Sequence, residues 1–239
     1  MRLGTHCELR LSVRHLARSV RFYGKLGFVT LAPKSSGDHP RIHLSDGRLH
    51  LVLHQGRFPS PTLRYHSPRI LDPRNPLRRM RHLRLKEAKH GDATAFEFRA
   101  RDGPRVLLSA SRPVVRPRPL GTSRAIPGKF GELSFAVRSM RASRAYWRRL
   151  GFTQVEGHDR EPYPWAVVSD GMMLLGLHQT SLGKKDEATL TYFAKDIPRR
   201  VARLRRAGVK VAAIPKRSRK PKGGTFRSPD GQRFFMFTI

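Results

Sequence analysis

The chain has 239 residues, enough for two domains that each bury a core, and no apolar run approaches the roughly 20 residues that span a bilayer. Forty-nine Lys and Arg stand against 17 Asp and Glu, a formal charge of +32, which reads either as a solvated basic face or as a surface for polyanions. A single cysteine, Cys7, excludes an intrachain disulfide and suits a reducing cytoplasm, and inside a strand it reads as a buried thiol. Arg10, Arg14, His15 and Arg18 interrupt any signal-peptide core near the start.

The first strand alternates cleanly, with Leu9, Leu11 and Val13 on one face and Glu8, Arg10 and Ser12 on the other. A helix is expected over 16–26, where Leu16, Val20, Tyr23 and Leu26 recur at helical spacing and Gly27 stops it. An extended 28–31, a strand through Ile42 and Leu44, a Ser45-Asp46-Gly47 turn and a strand from Leu49 to His54 complete a βαβββ unit. Residues 57–110 carry weaker signals for a second unit. These are a basic helix within Leu71–Leu85, which contains Pro73 and Pro76, and a hairpin of Thr94–Phe98 and Val106–Leu108 around Arg101-Asp102-Gly103.

The first unit then returns 124 residues later without a gap. Glu8, Ser19, Leu26-Gly27-Phe28, Ser45-Asp46-Gly47 and Leu53-His54-Gln55 meet Glu132, Ser143, Leu150-Gly151-Phe152, Ser169-Asp170-Gly171 and Leu177-His178-Gln179. The helix of this copy starts near Ser139 or Met140. A related unit closes the chain, with strand 190–194, Asp196 as N-cap, helix 199–207 ended by Gly208, extended 211–214, and Pro229-Asp230-Gly231 turning into 233–237. The expected architecture is α+β, four βαβββ modules paired into domains 1–112 and 129–239, with the proline-bearing 113–128 as linker.

These residues resemble the vicinal-oxygen-chelate superfamily, which includes glyoxalase I, extradiol dioxygenases and bleomycin-resistance proteins. The family pattern, a strand followed by Asp-Leu-x-x-Ser-x-x-Phe-Tyr-x-x-Leu-Gly-Phe, is similar to Leu16, Ser19, Phe22-Tyr23 and Leu26-Gly27-Phe28 and to Met140, Ser143, Tyr146-Trp147 and Leu150-Gly151-Phe152. Ser228-Pro229-Asp230-Gly231 resembles the family's closing hairpin. The resemblance covers nearly all of 5–56 and 129–239 and is weak across 57–100. It departs at the acid before the first helix, which is His15 and Ser139 in the two copies.

The resemblance implies paired modules that curl a sheet into a cup around a ligand. Metal-using members draw His or Glu from two first strands and two last strands, a donor set suited to Lewis-acid chemistry. Carried over, those positions fall on Glu132 and at or near Gly176, Leu190 and Phe235 in the second domain. In the first they fall on Glu8, Val52 and about Leu107, with Tyr65-His66 near the remaining strand. One ligand in four is no metal centre, so no cofactor is expected, a divalent metal being the less favoured alternative. If first and last strands lie antiparallel, Glu8 neighbours His54 and Glu132 neighbours His178, each a buried polar pair or, functionally, a general base with its orienting acid. Trp165, Phe193 and Phe235 are core residues or the wall of an apolar cup, while Trp147 reads as core.

Two functional readings follow. One is a small-molecule-binding protein, monomer or homodimer, using the second cup at Glu132, Trp165, Gly176, His178, Phe193 and Phe235, with Glu8 and His54 as the first-cup counterpart. The other is a nucleic-acid or polyanion binder using Arg199, Arg200, Arg203 and Arg206 on a helix and Lys216, Arg217, Arg219 and Lys220 in a loop. No phosphate-binding glycine loop, zinc cysteine set or nucleophile elbow is present.

Overall fold

The computed structural model of the protein describes residues 2–35, 40–90, 93–114, 121–161, 163–179, 188–214 and 223–239. The leading module of the first copy contains β1 (His6–Val13), α1 (Leu16–Lys25), β2 (Val29–Ser35), β3 (Arg41–Ser45) and β4 (His50–Gln55). The trailing module contains β5 (Thr62–His66), α2 (Pro76–Arg79), β6 (Lys86–His90), β7 (Ala93–Arg99) and β8 (Arg105–Ser109). The second copy repeats this with β9 (Lys129–Val137), α3 (Met140–Arg149), β10 (Thr153–His158), β11 (Trp165–Ser169) and β12 (Leu174–Gln179). It closes with β13 (Thr189–Ala194), α4 (Ile197–Arg206), β14 (Ala212–Ile214), β15 (Gly223–Arg227) and β16 (Arg233–Thr238).

Each copy forms one eight-stranded mixed sheet, ordered β2-β3-β4-β1-β5-β8-β7-β6 and β10-β11-β12-β9-β13-β16-β15-β14. The fold is α+β, as expected. The two modules of a copy join through their first strands, β1 with β5 and β9 with β13, and both junctions are antiparallel. Within a module the first and last strands run parallel, not antiparallel: β1 with β4 and β9 with β12. His54 therefore lies opposite Ser12, and His178 opposite Ala136, at the far end of the strand from each acid.

Local chemistry explains most boundaries. Gly27 adopts φ +94° and ends α1 where an added Cβ would lie 2.8 Å from the Arg124 carbonyl oxygen, so the turn and the close approach of residues 121–128 both need glycine. Ser139 caps α3 by accepting from the Ala142 N–H, whereas His15 provides α1 with no side-chain cap. α4 starts at Ile197, two residues before the expected start. Asp196 makes no cap bond there, because its carboxylate is held by Arg200 one turn on. The basic helix expected within Leu71–Leu85 is reduced to the single turn α2, with Pro76 at its start, and a 3-10 turn at Arg81–Leu83.

The copies interlock through their duplicated motifs. The Tyr65 hydroxyl donates to Asp170 Oδ2 at 2.7 Å, and the Tyr192 hydroxyl reciprocally reaches Asp46 Oδ2 at 3.4 Å. Each aspartate also accepts from the two backbone N–H groups that close its hairpin. Phe22 and Tyr23 of α1 pack on Phe234 of the second copy, with ring centroids 6.2 and 6.1 Å away, while Gly103 of the first copy leaves room for Trp147 of α3. Trp147 and Phe234 are fully buried core residues. Tyr65→Phe is expected to cost about 1–2 kcal/mol, because it removes the 2.7 Å hydrogen bond to the half-buried Asp170 carboxylate, and Tyr192→Phe about 1 kcal/mol or less at its longer distance and with Ser123 still bonded to Asp46. Urea unfolding midpoints of the two variants check this order.

Candidate functional site

Glu132 is the one buried acid of the second copy among the described residues. Its Oε1 accepts from Ser134 Oγ at 2.8 Å and lies 2.9 Å from His178 Nε2. Ser134 Oγ is in turn 2.6 Å from Thr191 Oγ1. A carboxylate only accepts, so Ser134 gives its proton to Glu132, Thr191 gives its own to Ser134, and His178 carries its hydrogen on Nε2. In the neutral form of the imidazole the lone pair is then on Nδ1.

The contact between Glu132 and His178 does not come from strand pairing, since Thr191 is the register partner of Glu132 and Ala136 that of His178. It exists because Gly176 lies between them. A Cβ at 176 would sit 2.3 Å from Glu132 Cδ and 2.4–2.5 Å from its oxygens, so the acid lies across the glycine to reach the histidine. Around this chain stand Trp165, paired with His178 across β11 and β12, and Phe235, paired with Thr191. The Phe193 ring covers Gly131, where a Cβ would meet it at 2.3 Å, and Tyr163 lies 5.9 Å from the His178 ring. Trp165, Phe193 and Phe235 are half-buried and not part of the fully buried core.

The first copy has diverged at the same positions. Val52 occupies the place of Gly176, and Glu8 does not reach His54 as expected. Instead the 1 % exposed Glu8 carboxylate turns to His43 and His66, each 3.4 Å away, Arg64 at 3.7 Å and His6 at 3.9 Å. His54 is bonded to Arg10 at 3.2 Å. Burial pushes the Glu8 carboxyl up, but His43, His66 and Arg64 outweigh it and hold it well below the usual range. Burial lowers His6 to about 4; Glu8 pulls the other way, and His50, His66 and His43 add to the lowering.

In the second copy the inward-facing residue of β13 is Thr191, not Leu190, which is fully buried in the core. The set at the carried-over metal positions is therefore one carboxylate, one hydroxyl, one glycine and one phenyl ring at Glu132, Thr191, Gly176 and Phe235. In the first copy it is Glu8, Arg64, Val52 and Leu107. Neither set fits a divalent ion, and no group of three or more ligating side chains among the described residues is arranged to hold one. A cavity of about 990 Å³ lies elsewhere, at the seam between the copies, beside His6, Arg48, His50 and Met172.

Of the basic residues, Arg199, Arg203 and Arg206 are exposed on α4, while Arg200 is spent on Asp196 and the Ile126 carbonyl. Lys216, Arg217, Arg219 and Lys220 fall outside the described residues. The sequence reasoning gave no site role to Ser134, Thr191, Arg64 or His43; it put Arg10 on the Glu8 face without a role and brought His66 only near a carried-over position. Ser134 and Arg10 were within reach, because each stands two positions after its acid and so shares its face.

No family model matches the sequence, and no curated protein matches it. Solved structures do. A variant of homoprotocatechuate 2,3-dioxygenase from Brevibacterium fuscum aligns with 100% of this chain and 72% of its own, at 16% identity and TM-score 0.63. A 2,3-dioxygenase from Pseudomonas sp. KL28 aligns over 97% and 91%, at 15% identity and TM-score 0.61. A catechol 2,3-dioxygenase aligns over 97% and 86%, at 19% identity and TM-score 0.58. The chain has the fold of the extradiol dioxygenases, the paired-βαβββ fold of the vicinal-oxygen-chelate proteins.

Two outcomes are expected. Gly176→Ala should destabilise the protein by about 1–3 kcal/mol through overpacking against Glu132, and adding Glu132→Ala should recover most of that loss. Urea denaturation of the two single variants and the double variant measures the coupling. For His6, the folded value near 4 lies below the unfolded value near 6.5, so between them the unfolded chain binds more protons. Stability should then fall by about 3 kcal/mol as pH drops from 6.5 to 4. The slope should flatten in His6→Gln, while the Glu8 contribution is lost only at lower pH.

Proposed function

We propose that the second cup binds a small aromatic or otherwise apolar molecule bearing a hydroxyl, and that His178 is its general base. The observation that carries this reading is the buried Glu132 carboxylate fixed 2.9 Å from His178 Nε2. That bond orients the imidazole and presents Nδ1 to whatever lies in the cup. Proton removal at Nδ1 creates an imidazolium, which the adjacent carboxylate stabilises without itself accepting the proton. Thr191 and Ser134 hold the acid from the other side, so it does not swing away when the histidine is charged.

The aromatic ligand class is supported by the cup wall, where Trp165, Phe193 and Phe235 surround a short polar chain. Pockets for small molecules commonly have this mixture, apolar walls with a few placed polar groups. The fold neighbours named for catechol and homoprotocatechuate point the same way. Glu132, Thr191, Gly176 and Phe235 give no ligand set for a divalent ion, so the chemistry assigned here is proton transfer by the chain's own residues. A polyanion-binding role has in its favour the exposed Arg199, Arg203 and Arg206, and it would show as binding that weakens steeply with salt.

Catechol is the probe. Titrated into the protein at fixed ionic strength, it should quench the fluorescence of Trp165 saturably, with Trp165→Phe as the control that leaves only the core Trp147. His178→Ala and Glu132→Gln should each raise Kd at least tenfold, about 1.4 kcal/mol. Equal affinity in wild type and both variants contradicts the assignment of the site.

A further inference from the structure

The two cups were built from one ancestor sheet, so the second serves as a reference for the first. Where the second has Ser134 and Thr191, hydrogen-bonded to each other, the first has Arg10 and Arg64. Both arginines are more than nine-tenths buried, and the Nε of each has no hydrogen-bond partner. The one acid beside them, Glu8, lies 3.7 Å from Arg64 and is shared with His43 and His66.

No carboxylate among the described residues lies within ion-pair distance of Arg10, although the Glu8 charge is felt there. The Arg10 guanidinium reaches His54 Nε2 at 3.2 Å, which must accept, and lies 4.9 Å from the centre of the Phe58 ring. Among the described residues it forms no ion pair. Arg41, half-buried on the adjacent strand β3 and paired there with His54, adds a third positive charge at the rim. Burial, and then repulsion from Arg64 and to a smaller degree Arg41, push the Arg10 guanidinium down from its ordinary value, with Glu8 pulling the other way. A buried cation in excess of its anions is costly unless something neutralises it.

We propose that the cup of the first copy is an oxyanion site, in which a small carboxylate or phosphate is held by the guanidinium groups of Arg10 and Arg64 with the Phe58 ring as an apolar wall. The planar fork of arginine matches the paired oxygens of either group. Glu8 and His54 act here as positioning residues. Glu8 and the Ser111 hydroxyl, which accepts from Arg64 Nη2 at 2.8 Å, restrain Arg64, and His54 restrains Arg10, leaving the Nε–H of each arginine without a partner. The site is independent of the second cup, and the two need not share a ligand.

The test is calorimetric titration of the full chain with benzoate and, separately, inorganic phosphate at constant ionic strength. The variants are Arg10→Met and a surface control of equal charge change, Arg21→Gln, on the exposed side of α1. One saturable site per chain is expected for at least one probe, unchanged in Arg21→Gln and weakened at least tenfold in Arg10→Met. Binding of benzoate alone assigns an organic carboxylate, and binding of phosphate alone a phosphoryl group. Should Arg10→Met fail to fold, Arg10→Lys keeps the charge and removes the fork, and is expected to bind several-fold more weakly than Arg21→Gln. No saturable binding of either probe, or equal binding in the Arg10 and Arg21 variants, overturns the proposal, the latter by showing an adventitious ion only.

Discussion

The parallel pairing of β1 with β4 and of β9 with β12 is the constraint from which both cups follow. It puts the first-strand acid and the last-strand histidine of each copy at opposite ends of neighbouring strands. The two meet only if the acid can lie along the sheet. Residue 176, a glycine, allows this, and Glu132 reaches His178. Residue 52, a valine, occupies that path, and Glu8 turns instead toward β3 and β5. One side chain at equivalent positions therefore separates an acid that orients a histidine from an acid held among three histidines and an arginine.

The rest of each cup is consistent with that choice. In the second copy a neutral Thr191–Ser134 pair supports the carboxylate, and aromatic side chains take the remaining inner positions. In the first copy His43, His66, Arg10 and Arg64 replace them, and the cup becomes cationic. The reciprocal Tyr–Asp contacts at the seam use residues outside both cups, so the copies diverged inside while remaining locked together. The +32 charge is thus not solely a surface property, because two of its arginines are buried at a defined place.

Much of the fold was legible in the sequence because duplication turns weak local signals into paired ones. The Leu-Gly-Phe and Ser-Asp-Gly motifs marked helix ends and hairpins in both copies, and the structure places them there. Strand direction was not legible. Alternation reports which face a residue occupies and is silent on whether neighbouring strands run parallel. Hence Glu132 and His178 were placed together for a mistaken reason, and Glu8 and His54 were placed together wrongly. The trailing module of the first copy was obscured because β5 directs Thr62, Arg64 and His66 inward, so a fully buried strand reads as polar. The basic segment after it, broken by prolines, read as a longer helix than the single turn that forms.

The fixed orientation of His178 by Glu132 is tested most directly by nitrogen-15 NMR of the His178 ring. With Nε2 hydrogen-bonded to a carboxylate, Nε2 should show the shift of a protonated pyrrole-type nitrogen and Nδ1 that of a bare pyridine-type nitrogen. Glu132→Gln should mix the two tautomers. A wild-type ring protonated at Nδ1, or a tautomer unaffected by Glu132→Gln, would contradict the assignment of Nδ1 as the base.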